Sequence, residues 1–126
     1  MKRLLLCLSL LAPPGLLACG SSPCRRVQEA SRGAEGKVER CDTESKVLVA
    51  TLQRSDADVD MCEQDVDACS EADREALDTA TRCIDGLEAC VEGGEERFRA
   101  SALGCIAPLT AISPGCQAAF RIESGE

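Results

Sequence analysis

Residues 59–90 read VDMCEQDVDACSEADREALDTATRCIDGLEAC. Two Cys-x6-Cys elements frame this stretch, Cys62 with Cys69 and Cys83 with Cys90. Seven residues is nearly two α-helical turns, so each pair shares a helix face. Val59, Cys62, Val66, Cys69, Ala76, Ala80, Cys83, Leu87 and Cys90 keep three-four spacing, and nothing alternates like a strand. Ser55 heads Ser-Asp-Ala-Asp and Ser70 heads Ser-Glu-Ala-Asp. Both read as capping boxes with Asp in the place usual for Glu. The stretch predicts a helix over about 56–69 and another over about 71–92.

The same pattern extends outward. Ser22-Pro23 is a helix start, a hydroxyl cap followed by proline at the first helical position. Cys24, Val27, Ala34, Val38, Cys41, Leu48 and Leu52 then follow helical spacing. No Gly or Pro occurs from Lys37 to Asp85, which predicts one helix over about 23–53, weakened at Gly33 and Gly36. Ser31, Ser45, Ser55 and Asp73 interrupt the apolar positions. Gly93-Gly94 is read as the end of the long run. A helix over about 95–106 follows, and Ser113-Pro114 opens a short one over about 114–121. The expected fold is all-α, a small disulfide-stapled bundle of about four helices plus a short C-terminal helix. It occupies 23–122, with 123–126 as a flexible tail. Asp65-Val66-Asp67-Ala68-Cys69 and Gly86-Leu87-Glu88-Ala89-Cys90 also match in pattern. They read equally as a duplicated helical unit or a heptad coincidence.

The core of such a bundle is poor in large side chains. There is no Trp or Tyr, and Phe98 and Phe120 are the only aromatic residues. Val, Leu, Ile, Ala and Cys must supply the apolar area, so burial contributes modestly per residue. Disulfides offset this, at about 3 kcal/mol for a loop of about 15 residues in the chain-entropy model.

The N-terminus explains why disulfides are available. Met1-Lys2-Arg3 is basic, Leu4 to Ala12 is apolar, and Pro13-Pro14-Gly15 breaks the run. The run is far shorter than the ~20 residues a spanning helix needs. Leu16-Leu17-Ala18-Cys19-Gly20 resembles the lipobox of bacterial lipoproteins, a resemblance confined to residues 1–19. It implies a signal peptide over 1–18, cleavage after Ala18, and a thioether lipid on Cys19 as the membrane anchor. It also implies a cell-envelope location, at the outer membrane rather than the inner if the host is Gram-negative, since Gly20 follows the cysteine. Residues 19–22 then form a short tether, about 10 Å when extended. Of ten cysteines, Cys7 leaves with the leader and Cys19 carries lipid. Cys24, Cys41, Cys62, Cys69, Cys83, Cys90, Cys105 and Cys116 remain, an even set that reads as a disulfide framework in an exported chain. Ordinary secretory cleavage after Gly20 leaves the same eight.

Two pairings follow from the spacing. If the chain turns near Ala76, Cys62 faces Cys90 and Cys69 faces Cys83. That arrangement resembles the twin-cysteine helical hairpins of coiled-coil-helix proteins, which use a nine-residue spacing. Pairing of chain neighbours would instead join Cys41 to Cys62, Cys69 to Cys83, Cys90 to Cys105 and Cys24 to Cys116. The Ser70 cap places a turn before Ala76 and disfavours the hairpin.

Charge narrows the partners. Residues 55–96 hold fifteen carboxylates against Arg74 and Arg82, a net of −13, whereas residues 24–46 hold six basic side chains against five acidic. An acidic chain without a basic, aromatic-bearing patch excludes nucleic acid as a partner. Asp56, Asp58, Asp60 and Asp67 faintly resemble a calcium loop, but Met61 stands where its glycine belongs. Acids at a helix start, favoured by the dipole, are the better reading. There is no His, no Cys-x2-Cys, and no base paired to a nucleophile. Neither a catalytic residue nor a cofactor is expected. The expected function is a lipid-anchored, non-enzymatic module presenting an acidic helical surface to an unknown, basic protein partner. Asp56, Asp58, Asp60, Asp65 and Asp67 would meet that partner, and Arg25 and Arg26 would lie at anionic head groups. The rival function is thiolate sequestration of a soft metal such as copper.

Overall fold

A computed structural model describes residues 21–122. The leader, Cys19 and the tail from 123 lie outside the described residues. The described chain contains six α-helices and no strand: α1 (Pro23–Lys37), α2 (Thr43–Leu52), α3 (Asp56–Asp65), α4 (Glu71–Asp85), α5 (Glu95–Ile106) and α6 (Pro114–Phe120). Single 3-10 segments, Val66–Ala68 and Ala107–Ala111, follow α3 and α5. The small all-α, disulfide-stapled bundle expected from the sequence is the fold that forms.

Local capping explains most helix starts. The Ser22 side chain accepts from the Arg25 N–H, with Pro23 in the first turn. Ser55 with Asp58, and Ser70 with Asp73, form complete capping boxes at α3 and α4. Three expected boundaries are corrected, the first being the helix over 56–69, which ends at Asp65 and passes through the 3-10 turn Val66–Ala68, so that Cys69 lies beyond it. The helix over 23–53 is two helices, and the break lies not at Gly33 or Gly36, which sit inside α1, but at 38–42. There the Asp42 side chain accepts from the Ser45 N–H at 3.0 Å and starts α2. An Asp ahead of Thr43 is a cap signal that works without Gly or Pro. The helix over 71–92 stops at Asp85, with Gly86 rather than Gly93-Gly94 as its cap. Residues 87–94 then run irregularly, and Gly93 adopts φ 82° in a turn that demands a glycine.

α1 and α4 are the most extensively packed pair of helices, and they run in the same sense, since Arg26 near the start of α1 meets Asp78 while Lys37 at its end meets the end of α4. Ala30 and Ala34 on α1 and Ala80 on α4 are buried, and small residues permit close helix approach. Lys37 fastens their C-terminal ends. Its Nζ donates to the Ile84 carbonyl at 3.3 Å and to that of Asp85, and its own carbonyl accepts from the Cys90 N–H at 2.7 Å. A cation on the last carbonyls of α4 suits the helix dipole.

Around this pair the two halves of the chain repeat one order, a fifteen-residue helix followed by two shorter ones. α1 packs on α4, α2 on α5, and α3 on α6. The disulfides follow the same scheme. Cys24–Cys62 ties the start of α1 to α3, and Cys69–Cys116 ties the start of α4 to α6. Cys41–Cys90 joins the segments that follow α1 and α4. Cys83–Cys105, between α4 and α5, has no counterpart in the first half. The recurring unit is therefore three helices. The 21-residue match does not mark one, since 66–68 is a 3-10 turn and 86–90 is irregular.

Neither pairing drawn from the spacing is the one present. Cys62 and Cys69 share a stretch of chain but serve different helices, because α3 closes on α1 while the start of α4 closes on α6. The core falls into two apolar clusters. The first gathers Ala30, Ala34, Val38, Val49, Ile84, Leu87, Phe98 and Ala102 around Cys41, Cys90 and Cys105. The second gathers Val59, Leu77, Ile112, Ala119 and Phe120 around Cys24, Cys62, Cys69 and Cys116. Each cluster holds one of the two phenylalanines.

Candidate interaction surface

The eight cysteines expected to be oxidised all sit in bridges, with Cα–Cα separations from 4.5 to 5.9 Å. No thiolate remains among them to ligate copper. Among the described residues no group of three or more Cys, Asp or Glu converges as a metal cage. The four aspartates that resemble a calcium loop do not converge either. Asp56 accepts from the Gln28 amide at 2.8 Å and from Arg32 at 3.0 Å. Asp58 caps α3 through Ser55 and pairs with Arg121 at 3.5 Å. Asp67 lies 3.7 Å from Arg74.

Part of the acidic segment is thus engaged by partners on the same chain, much of it at the surface. Glu63 accepts from the Ser22 hydroxyl at 2.7 Å and lies 4.0 Å from Arg25. Asp78 pairs with Arg26 at 3.1 Å and with Arg82. Arg82 first, then Arg26, lowers the Asp78 pKa, and Gln28 followed by Arg32 lowers that of Asp56. The arginines of α1 are therefore partnered by carboxylates of α3 and α4. They are not segregated from them, as an orientation with Arg25 and Arg26 at a membrane and the acids held far away would require.

Asp73 is the most deeply placed carboxylate, 5 % exposed. It accepts from the Ser113 N–H at 2.8 Å, the Ser113 hydroxyl at 2.7 Å and the Ser70 N–H at 2.9 Å. These bonds, those from Ser113 foremost, lower its pKa to about 2. Ser113 consequently does not cap α6 with its side chain, contrary to the helix-start reading, because its hydroxyl is turned to Asp73. Two other interruptions in the apolar pattern, Ser31 and Ser45, are also buried. Ser31 satisfies its hydroxyl on the Gln28 carbonyl at 2.8 Å. On the opposite side Asp42, capping α2, receives Ser45 and the Arg99 guanidinium at 2.6 Å, and its pKa is likewise about 2.

What remains for a partner is narrower than the composition implies. Asp60 and Asp65 on α3, Glu71 and Glu75 on α4, and Asp85, Glu88, Glu92 and Glu96 further along are exposed. Among the described residues their carboxylates have no ion pair or side-chain hydrogen bond. Glu71 and Glu75 stand one turn apart on one helix face. A groove of about 530 Å³ lies beside α5, lined by Leu87, Val91, Arg97, Phe98 and Ser101 among others. A second cleft, about 580 Å³, separates α1 from α2 and is lined by Arg32, Glu35, Glu39 and Lys46 among others. No described helix is long and apolar enough to cross a membrane. Comparison with protein-family models, curated proteins and solved structures finds no match to this chain.

Proposed function

We propose that this chain is a lipoprotein of the bacterial cell envelope, anchored through Cys19 and acting as a rigid, non-enzymatic interaction module. The observation that carries the reading is the closure of all eight cysteines after Cys19 into four bridges, as an oxidising, exported setting favours. Ser22 is already engaged by Arg25 and Glu63, so only Gly20 and Ser21 separate the lipid from the domain. Such a domain sits close to its membrane. Its partner is a basic protein surface, met by Asp60, Asp65, Glu71 and Glu75. Asp56 and Asp58 drop out of the contact set because they hold α1 and cap α3.

Labelled palmitate in the expressing host tests the anchor. Wild type incorporates label and fractionates with membrane, and Cys19→Ser does neither; an unlabelled wild type ends the proposal. Cross-linking capture at low and high salt tests the surface, with screening over about 8–10 Å making capture salt-sensitive. The variant Asp60→Asn, Asp65→Asn, Glu71→Gln, Glu75→Gln captures less. Undiminished capture would reduce these carboxylates to a solvated helix surface.

A further inference from the structure

We propose that Cys83–Cys105 is a thiol-exchange site, opened by an attacking dithiol while the other three bridges stay closed. Its two ends differ. Cys105 is 2 % exposed and belongs to the first apolar cluster, whereas Cys83 is exposed on α4. Every other bridged cysteine is buried. Cys83, Cys90 and Cys105 all line the groove of about 530 Å³ beside α5, but of the three only Cys83 is exposed. Arg97 and Glu88 both line this groove, so its lining carries no net charge against an incoming thiolate. Exchange requires a thiolate to reach one sulfur of the bridge, and exposed bridges are the labile ones.

The chemistry follows from the asymmetry. The thiolate attacks the Cys83 sulfur and forms a mixed disulfide. The Cys83–Cys105 bond breaks, and Cys105 leaves as a thiolate and takes a proton. The core holds Cys105 beside Cys83, so on losing its proton Cys105 re-attacks the Cys83 sulfur at high effective concentration and expels a monothiol as the leaving thiolate. A dithiol escapes this reversal. Its second thiol attacks its own sulfur in the mixed disulfide, closes a ring and releases Cys83 as a thiol. The reagent is oxidised by two electrons and the protein bridge is reduced by two. Opening removes the covalent tie between α5 and α4, whose apolar packing remains, and leaves residues 87–94 fastened through Cys41–Cys90. The missing counterpart of this bridge in the first half of the chain agrees with a role the shared scaffold does not need.

Limited reduction of the oxidised full chain tests the site. Dithiothreitol is added at neutral pH, samples are quenched with iodoacetamide, and alkylated cysteines are mapped by peptide mass. Cys83 and Cys105 are expected to label at least about tenfold faster than the other six. Earlier labelling of another pair, or labelling of all eight together, overturns the proposal. The variant Cys105→Ala gives a second readout, because Cys83 then lacks its resolving partner. Oxidised glutathione is expected to cap Cys83 as a stable mixed disulfide. A Cys83 that stays uncapped in a variant with wild-type helix content also overturns it. If the variant does not fold, the wild-type mapping decides.

Discussion

The two apolar clusters stand at opposite ends of the α1–α4 pair and are secured differently. Around Phe120 both bridges are buried at both ends, and a buried carboxylate, Asp73, locks the start of α4 to the start of α6. Around Phe98 one bridge has an exposed end, the carboxylate at Asp42 is a surface cap, and a groove opens beside α5. The three most exposed large apolar side chains, Val47, Val91 and Leu103, all lie on α2, α5 or the 87–94 segment, at this second end. A core of alanine, valine and cysteine can thus be stabilised in two ways. One end combines cross-links with an internal polar lock, and the other relies on cross-links and leaves its rim accessible.

Full reduction is the strongest way to break both ends. With all four bridges opened in excess dithiothreitol, far-UV circular dichroism is expected to lose most of its helical signal at 25 °C. Each bridge closes a loop of 22 to 49 residues, worth about 3–4 kcal/mol apiece in the chain-entropy model, though not additively. A reduced chain that keeps native helicity would mean the apolar clusters suffice alone.

Phe98→Ala and Phe120→Ala probe the ends separately. Both rings are buried, and each truncation is expected to cost about 3–5 kcal/mol in denaturant unfolding. The end around Phe120, closed by two buried bridges, cannot collapse into the cavity, so its loss should be the larger. Equal losses would show that the two ends behave as one packed unit.

Acid titration sharpens the contrast. The native pKa of Asp73 is lowered from 3.8 to about 2, so the unfolded chain binds the proton more tightly. Its contribution is present above about pH 4 and is lost as pH falls through 2. Asp73→Asn is expected to lower Tm at pH 6 and to flatten the fall in Tm between pH 4 and 2. Asn presents donors where Ser70 and Ser113 already donate. Asp42→Asn, at a half-exposed cap lowered to about 2 by Ser45 and Arg99, should flatten the profile less. The smallest effect is expected from Val91→Ser at the accessible rim, within about 0.5 kcal/mol of wild type.

What could be read from the chain was what neighbouring residues decide. Ser22-Pro23, Ser55 and Ser70 announced their helices because a cap and the N–H groups it serves lie within one turn. Three-four spacing announced an all-helical fold for the same local reason. Asp42 carried an equally local signal, an Asp before Thr-Glu-Ser, but the absence of Gly and Pro from 37 to 85 obscured it. The end of α4 at Asp85 was harder to see. Gly86 is its cap, a local signal masked by apolar spacing that runs on through Leu87 and Cys90, and Lys37 and the Cys41–Cys90 bridge hold the segment beyond it.

By itself, then, the sequence determined the helical class, most of the caps, the resemblance of residues 1–19 to a lipobox, and an even set of cysteines ready for oxidation. Tertiary structure alone decided which cysteine meets which. Sequence spacing places Cys62 and Cys69 on one face, but α3 packs on α1 and α6 while the start of α4 turns to α6. The same packing turned an aspartate in a polar-looking gap into a buried lock, by bringing Ser113 from 40 residues away to its carboxylate. It also paired the arginines of α1 with acids of α3 and α4, leaving only part of the −13 segment free. Caps and periodicity are short-range and survive in a linear text. Disulfide partners, buried carboxylates and unspent charge depend on which helix faces lie against each other, and that is settled only when the chain closes.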